Sequence, residues 1–126
     1  MKAEVQGLLD LANESIAAAE MLLKAKHHRF SVSRSYYAMF YVAEALHCHE
    51  ERAYSSHSAV ISEFARHFIK SGRFDAKFHD HLRRAFQDRQ RGDYDLADPP
   101  SKKTAEVTLR RAQEYLEAAK EFLTPS

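Results

Sequence analysis

Cysteine occurs once, at Cys48, tryptophan not at all, and glycine and proline only three times each in the 126 residues. A lone thiol cannot close an internal disulfide, so the fold must stand on its core, in keeping with a reducing compartment. So few glycines and prolines leave little of the punctuation that hairpins and sheets require. Apolar runs are short as well. None approaches the roughly 20 residues needed to cross a bilayer, and the first residues lack a signal peptide's basic start and apolar middle. Neither charge sign dominates: 19 Lys and Arg stand against 18 Asp and Glu, a formal net charge of +1. That balance excludes the overall field that draws a protein non-specifically to nucleic acid, while leaving room for a local basic patch. The expectation is a soluble cytoplasmic protein folding as one domain over residues 1–126, long enough to bury a core without staples.

What is present is helical. From Lys2 to about Lys26, Val5, Leu8, Leu9, Ala12, Ile16, Ala19, Leu22 and Leu23 recur three and four apart, with Lys and Glu between them, the mark of an amphipathic helix. After His27-His28-Arg29 a second helix runs from Phe30 to about His49, and the short connection predicts that the two lie antiparallel. This second helix is apolar nearly all round yet carries Arg34, Glu44 and the tyrosines Tyr36, Tyr37 and Tyr41. A helix of that kind is normally surrounded by protein, so its polar groups need partners. Ser55 or Ser56 is a natural N-cap for a third helix with the stripe Val60, Ile61, Phe64, Phe68 and Ile69, and Gly72 is placed to end it. Phe74, Phe78, Leu82, Ala85 and Phe86 predict a fourth helix stopping near Gly92. Asp98-Pro99-Pro100-Ser101 then opens a fifth, capped by Asp98 or Ser101, with Ala105, Leu109, Ala112, Leu116, Ala119 and Leu123 as its seam. The fold class is all-α: an up-down antiparallel four-helix bundle with a fifth helix packed alongside.

Two stripes carry a polar group where the pattern asks for an apolar one. Arg89 follows Phe78, Leu82 and Ala85 on the fourth helix, and His57 precedes Ile61 and Phe64 on the third. If the third helix begins where the second and fourth end, then His57, Arg89, Asp93 and Tyr94 converge there, near Glu44 and His47. Arg34 then lies roughly 15–20 Å away at about 1.5 Å per helical residue, sharing a second polar position with Tyr37 and Tyr41. A planar guanidinium suits a phosphate, and Arg83, Arg84 and Arg91 suggest a basic rim beside it. Asp93, four residues on from Arg89, or Glu44 is the natural internal partner if that arginine is structural instead and anchors the bundle end. The eight histidines do not read as metal ligands, because His27-His28, His47-x-His49 and His79-x-His81 are spaced too closely to face one point. No cofactor is implied. The aromatics Tyr36, Phe40, Phe68, Phe74 and Phe86 exceed what one small bundle is expected to bury, which suggests a homodimer.

The segment Ser33-Arg34-Ser35-Tyr36-Tyr37-Ala38-Met39-Phe40-Tyr41, with Ser56-His57, Val60-Ile61-Ser62-Glu63-Phe64 and Arg89-Gln90-Arg91-Gly92-Asp93-Tyr94, resembles the HEPN family of small prokaryotic helical proteins. The likeness runs from about Leu8 to Leu123 and points to the branch with an Arg-x-x-x-Asp-Tyr ending. It implies a homodimer working with a minimal nucleotidyltransferase in a two-protein module of toxin–antitoxin type, binding nucleotide or RNA. It implies that Tyr94 matches a tyrosine to which such partners attach nucleotides. HEPN nucleases carry an arginine and, a few residues later, a histidine, and cleave RNA in a dimer cleft without metal. Here Arg89 matches the arginine, but Tyr94-Asp95-Leu96 stands where the histidine is expected. Tyrosine, with an ordinary pKa near 10, is a poor general base at neutral pH. An RNA endonuclease using Arg89, with Tyr94 lining the cut or His57 supplying an imidazole, is therefore the second reading. A ligand-free helical scaffold is the third.

Overall fold

Small residues let the first two helices approach closely. In the computed structural model, which describes residues 1–125, α1 (Ala3–Lys24) buries Val5, Leu9, Ala12, Ser15, Ile16 and Ala19 against α2 (His28–His49). Ser15 Oγ donates to the Arg34 carbonyl and Ser31 Oγ to the Ala19 carbonyl, both at 2.8 Å, which satisfies two hydroxyls that burial would otherwise strand. α2 is the central helix, touched by every other one.

α3 (His57–Phe64) starts at Ser56, whose Oγ accepts the Ala59 N–H at 3.1 Å. It runs on into a π-helical turn, Ala65–Ile69, in which the Lys70 N–H reaches back five residues to the Ala65 carbonyl at 3.0 Å. Gly72, at φ +78°, takes a left-handed conformation that suits glycine and ends the segment. Phe74 lies before α4 (Lys77–Tyr94) and not inside it, because its N–H is held by the Phe68 carbonyl at 2.9 Å. α5 (Lys102–Leu123) is capped by Ser101 and not by Asp98, with the Thr104 N–H donating to Ser101 Oγ at 3.1 Å.

The four long helices α1, α2, α4 and α5 make the up-down bundle. Arg29 near the start of α2 donates to the Gly92 carbonyl near the end of α4 at 3.1 Å, while Phe78 near the start of α4 stacks on Tyr115 of α5 at 5.5 Å. The fifth, packed helix is the short α3. Its position corrects the expectation that it begins beside the end of α2. Glu50–Ser56 spans roughly 20 Å when extended, and it carries the chain back along α2, so that His57 stands beside Tyr36 and Phe40.

The aromatics taken as surplus are core residues: Tyr36 and Phe68 are 0 % exposed, Phe40 and Phe74 8 %, and Phe86 packs against them half-buried. A cluster of Phe64, Phe68, Phe74, Phe78, Tyr115 and Phe122 fills one end of the bundle, with ring centroids 5.1–6.4 Å apart, distances at which aromatic pairs add to simple burial. The homodimer thus loses the argument drawn from these side chains.

Glu50 ties the returning segment to this end. Arg73 grips it with both Nη atoms and Arg52 Nη1 pairs with it at 2.7 Å. The hydrogen bonds from Arg73 hold the Glu50 carboxyl down at about 2. A carboxyl lowered by folding stabilises the native state above its ordinary range near 4.5, and that contribution fades as pH falls from about 4.5 to about 2. Arg73 is partly open to water, which screens the pairing. Glu50→Gln should therefore cost about 1–2 kcal/mol at neutral pH and flatten the acid limb of a stability-against-pH curve between those values, read from urea unfolding.

Candidate functional site

The apolar stripe of α4, Phe78, Leu82 and Ala85, is 7, 0 and 2 % exposed, and Arg89 continues it. Because α4 runs antiparallel to α2, that position meets the first half of α2. The Arg89 guanidinium carbon lies 5.8 Å from the ring centroid of Tyr36 and 5.2 Å from that of Tyr37. Such stacking favours a guanidinium over an ammonium. Its Nε lies 3.1 Å from Asp93 Oδ2, one turn on, an ion pair by distance although the N–H does not line up as a hydrogen bond. The side chain is 21 % exposed, and its Nη atoms have no hydrogen-bond partner among the described residues.

His57 enters from α3 and stacks on Phe40 with centroids 4.2 Å apart. Its Nδ1 lies 2.7 Å from the Tyr36 hydroxyl. Burial, then the Arg89 charge, lowers the imidazole's pKa, and burial raises that of the Tyr36 phenol against the pull of Arg89. Both groups are accordingly neutral at pH 7. The assignment that satisfies both has the Tyr36 hydroxyl donating to Nδ1, with the ring proton on Nε2.

Arg34 belongs to this cluster and not to a second position 15–20 Å off. Its guanidinium carbon lies 4.7 Å from the Tyr37 centroid, so two guanidinium groups flank one phenol ring. Arg34 has no carboxylate partner among the described residues. The reason for the correction is the antiparallel run of α4, which sets its end beside the start of α2. Glu44 and His47 line a cleft with Lys2, Glu4, Cys48 and Tyr54 toward the other end of α2, although the Glu44 charge still acts on the Tyr36 phenol. Tyr41 lies next to Tyr37, with centroids 6.1 Å apart.

Tyr94, the last residue of α4, is 79 % exposed and does not join the cluster's packing. Beyond it Asp95 Oδ1 accepts the N–H groups of Ala97 and Asp98 at 3.0 Å, turning the chain toward Pro99-Pro100. A Cβ on Gly92 would come within 3.3 Å of the Pro100 ring and 3.4 Å of Arg29 Cβ, so glycine permits this close approach. Leu96, 84 % exposed, and Phe30, 56 % exposed, stand out at the same end.

The basic rim is largely self-paired. Arg83 and Arg84 both hold Asp80 at 2.9 Å, and Arg91 lies 3.4 Å from Asp88. Among the described residues no three His, Cys, Asp or Glu side chains gather as metal ligands would, and no helix is long and apolar enough to cross a membrane. The partnership of Tyr36 with His57 escaped sequence reasoning. Its only trace is that Tyr36 and Phe40, one turn apart on α2, share a face.

Comparison with known proteins places this arrangement in context. Residues 5–123 match the family model described as "HEPN domain". The chain is 34% identical over 122 residues to a Methanocaldococcus jannaschii protein named "Putative toxin MJ0142", covering 97% of this chain and 83% of that one. It is 38% identical over 124 residues to a Gloeobacter violaceus protein named "UPF0332 protein glr0978", covering 98% of each. A Thermotoga maritima "UPF0332 protein" is 30% identical over 112 residues, covering 89% of this chain and 85% of that one.

Proposed function

The chain belongs to the HEPN domain family, and on that premise we propose that it is the HEPN half of a two-protein module of toxin–antitoxin type, binding nucleotide or RNA as the partner of a minimal nucleotidyltransferase. The observation that carries this reading is the pair of guanidinium groups, Arg34 and Arg89, flanking Tyr37 with hydrogen-bond donors to spare. Two planar five-donor groups so close together suit a phosphate. The toxin name of the Methanocaldococcus jannaschii relative supports the module.

Tyr94 is the residue on which the partner acts in this reading. Its hydroxyl oxygen attacks the α-phosphorus of a nucleoside triphosphate held by the nucleotidyltransferase. A tyrosyl–phosphate bond forms, the bond to the β-phosphate breaks, pyrophosphate leaves, and the phenolic proton passes to a base of the partner. A substrate tyrosine must reach another protein's active site, and Tyr94 is open enough to do so. Co-expression with a nucleotidyltransferase from the adjacent reading frame should add nucleotidyl mass to the chain, and Tyr94→Phe should abolish the addition completely. An unmodified chain, or a Tyr94→Phe chain modified as fully as the parent, would refute this part.

The endonuclease reading is weaker on geometry. With the Tyr36 hydroxyl donating to Nδ1, as assigned above, the imidazole keeps no free lone pair with which to take a proton from an RNA hydroxyl. The proposed assembly includes a homodimer meeting where Phe30 and Leu96 project. Sedimentation at micromolar concentration should give twice the chain mass, and Leu96→Glu a monomer; a monomeric parent chain counts against this element alone.

A further inference from the structure

A concave site lies toward the opposite end of α2 from the Arg89 cluster, where the start of α1 meets the segment returning toward α3. It is a cleft of about 620 Å³ lined by Glu4, Leu8, Glu44, His47, Tyr54 and Val60, among others. That volume is within the usual range for a small-molecule pocket. Its outer charges are mostly met, Glu4 by a thiol alone. Lys2 Nζ lies 3.4 Å from Glu51 and donates to the Cys48 carbonyl at 3.2 Å, the Cys48 thiol lies 3.5 Å from Glu4, and Arg52 is drawn away to Glu50.

The two inner groups are not satisfied. His47 is 1 % exposed; burial keeps its ring neutral, and its Nε2–H donates to the Val60 carbonyl at 3.0 Å. Nδ1 is left as a buried acceptor with no partner among the described residues. Glu44, half-buried on the same helix, has no hydrogen bond or ion pair to any described residue. A buried acceptor such as His47 Nδ1 is rarely left without a ligand or water to meet it, and the Glu44 carboxylate lines the same cleft. Around them Leu8, Val60 and the Tyr54 ring, which meets His47 edge-on at 4.8 Å, supply apolar wall.

A carboxylate and a neutral acceptor in an otherwise greasy recess ask for N–H donors on a positive head, carried by an apolar body. We infer that this cleft binds a small organic cation, an ammonium or amidinium on a compact aromatic body, with its head on Glu44 and its ring against Tyr54. The site shares no residue with the Arg89 cluster and stands whether or not the proposed function does.

The test titrates the purified chain with benzamidine and phenethylamine by calorimetry, with benzamide and phenylethanol as uncharged counterparts. The cations should bind at submillimolar concentration and the neutral compounds at least tenfold more weakly. Glu44→Gln should weaken cation binding at least tenfold, while Glu106→Gln on α5 leaves it unchanged. Equal binding of charged and neutral probes, no binding at millimolar concentration, or a folded Glu44→Gln chain that binds as well as the parent would overturn the inference. The charged-against-neutral comparison uses the unaltered chain, so it decides the matter even if Glu44→Gln fails to fold.

Discussion

Arg89→Ala should weaken binding of a nucleoside triphosphate or a short RNA by about 10–100-fold, because a hydrogen-bonded charged pair is worth about 1.5–3 kcal/mol and each 1.4 kcal/mol is about tenfold. Stability should change far less. The internal pairing lost is one partly buried ion pair with Asp93 that lacks hydrogen-bond alignment, worth about 0.3–0.5 kcal/mol at helix spacing, together with stacking on Tyr36 and Tyr37. Arg89→Lys keeps the charge and loses the planar fork, so it should recover only part of the affinity. Titration at low and moderate salt, paired with thermal melts, separates these terms, since binding to phosphate weakens as salt rises. In the scaffold reading the signs reverse: Arg89→Leu would raise stability and leave every binding measurement untouched.

The largest effect on stability is expected from Phe68→Ala, about 3–5 kcal/mol, read as a fall in the urea midpoint. Phe68 is fully buried on the π-helical turn. Its ring lies 5.6 Å from Phe64, 5.8 Å from Phe74, 5.9 Å from Phe122 and 6.0 Å from His47, with the Arg73 guanidinium 4.5 Å away. Removing it opens a cavity among rings contributed by α2, α3, α5 and the segment before α4, and so strikes the place where the most elements meet. Leu11→Ala, at an exposed position, should stay within about 0.5 kcal/mol of the parent. The contrast separates the role of a ring in the core from that of an apolar side chain standing at the surface.

The sequence disclosed α1, α4 and α5 because each carries its own 3.6-residue period and α2 because its long apolar run holds no glycine or proline, and it disclosed Ser56 and Ser101 as caps because a cap is a local matter. Phe74 misled, since an apolar residue at helical spacing reads the same whether it starts a helix or is pinned in a turn by the Phe68 carbonyl. The place of α3 was hidden for a different reason. A connection the length of Glu50–Ser56 can end beside either half of α2, and only packing decides which. From that one ambiguity came the misplacement of Arg34 away from Arg89 and of Glu44 and His47 toward it. Tyr36 shows the remaining limit. Periodicity marks it as apolar core, and nothing local reveals that its hydroxyl ends on the His57 ring.

The most direct trial of the account is an amide chemical-shift map of the chain with a nucleoside triphosphate or a short RNA added in steps. The account predicts saturable shifts confined to Arg34, Tyr37, His57, Arg89 and the Asp93-Tyr94 end of α4, with Arg89→Ala needing at least tenfold more ligand to reach them. Shifts gathered around Glu44 and Tyr54 instead, or no saturable shift in the unaltered chain, would contradict it.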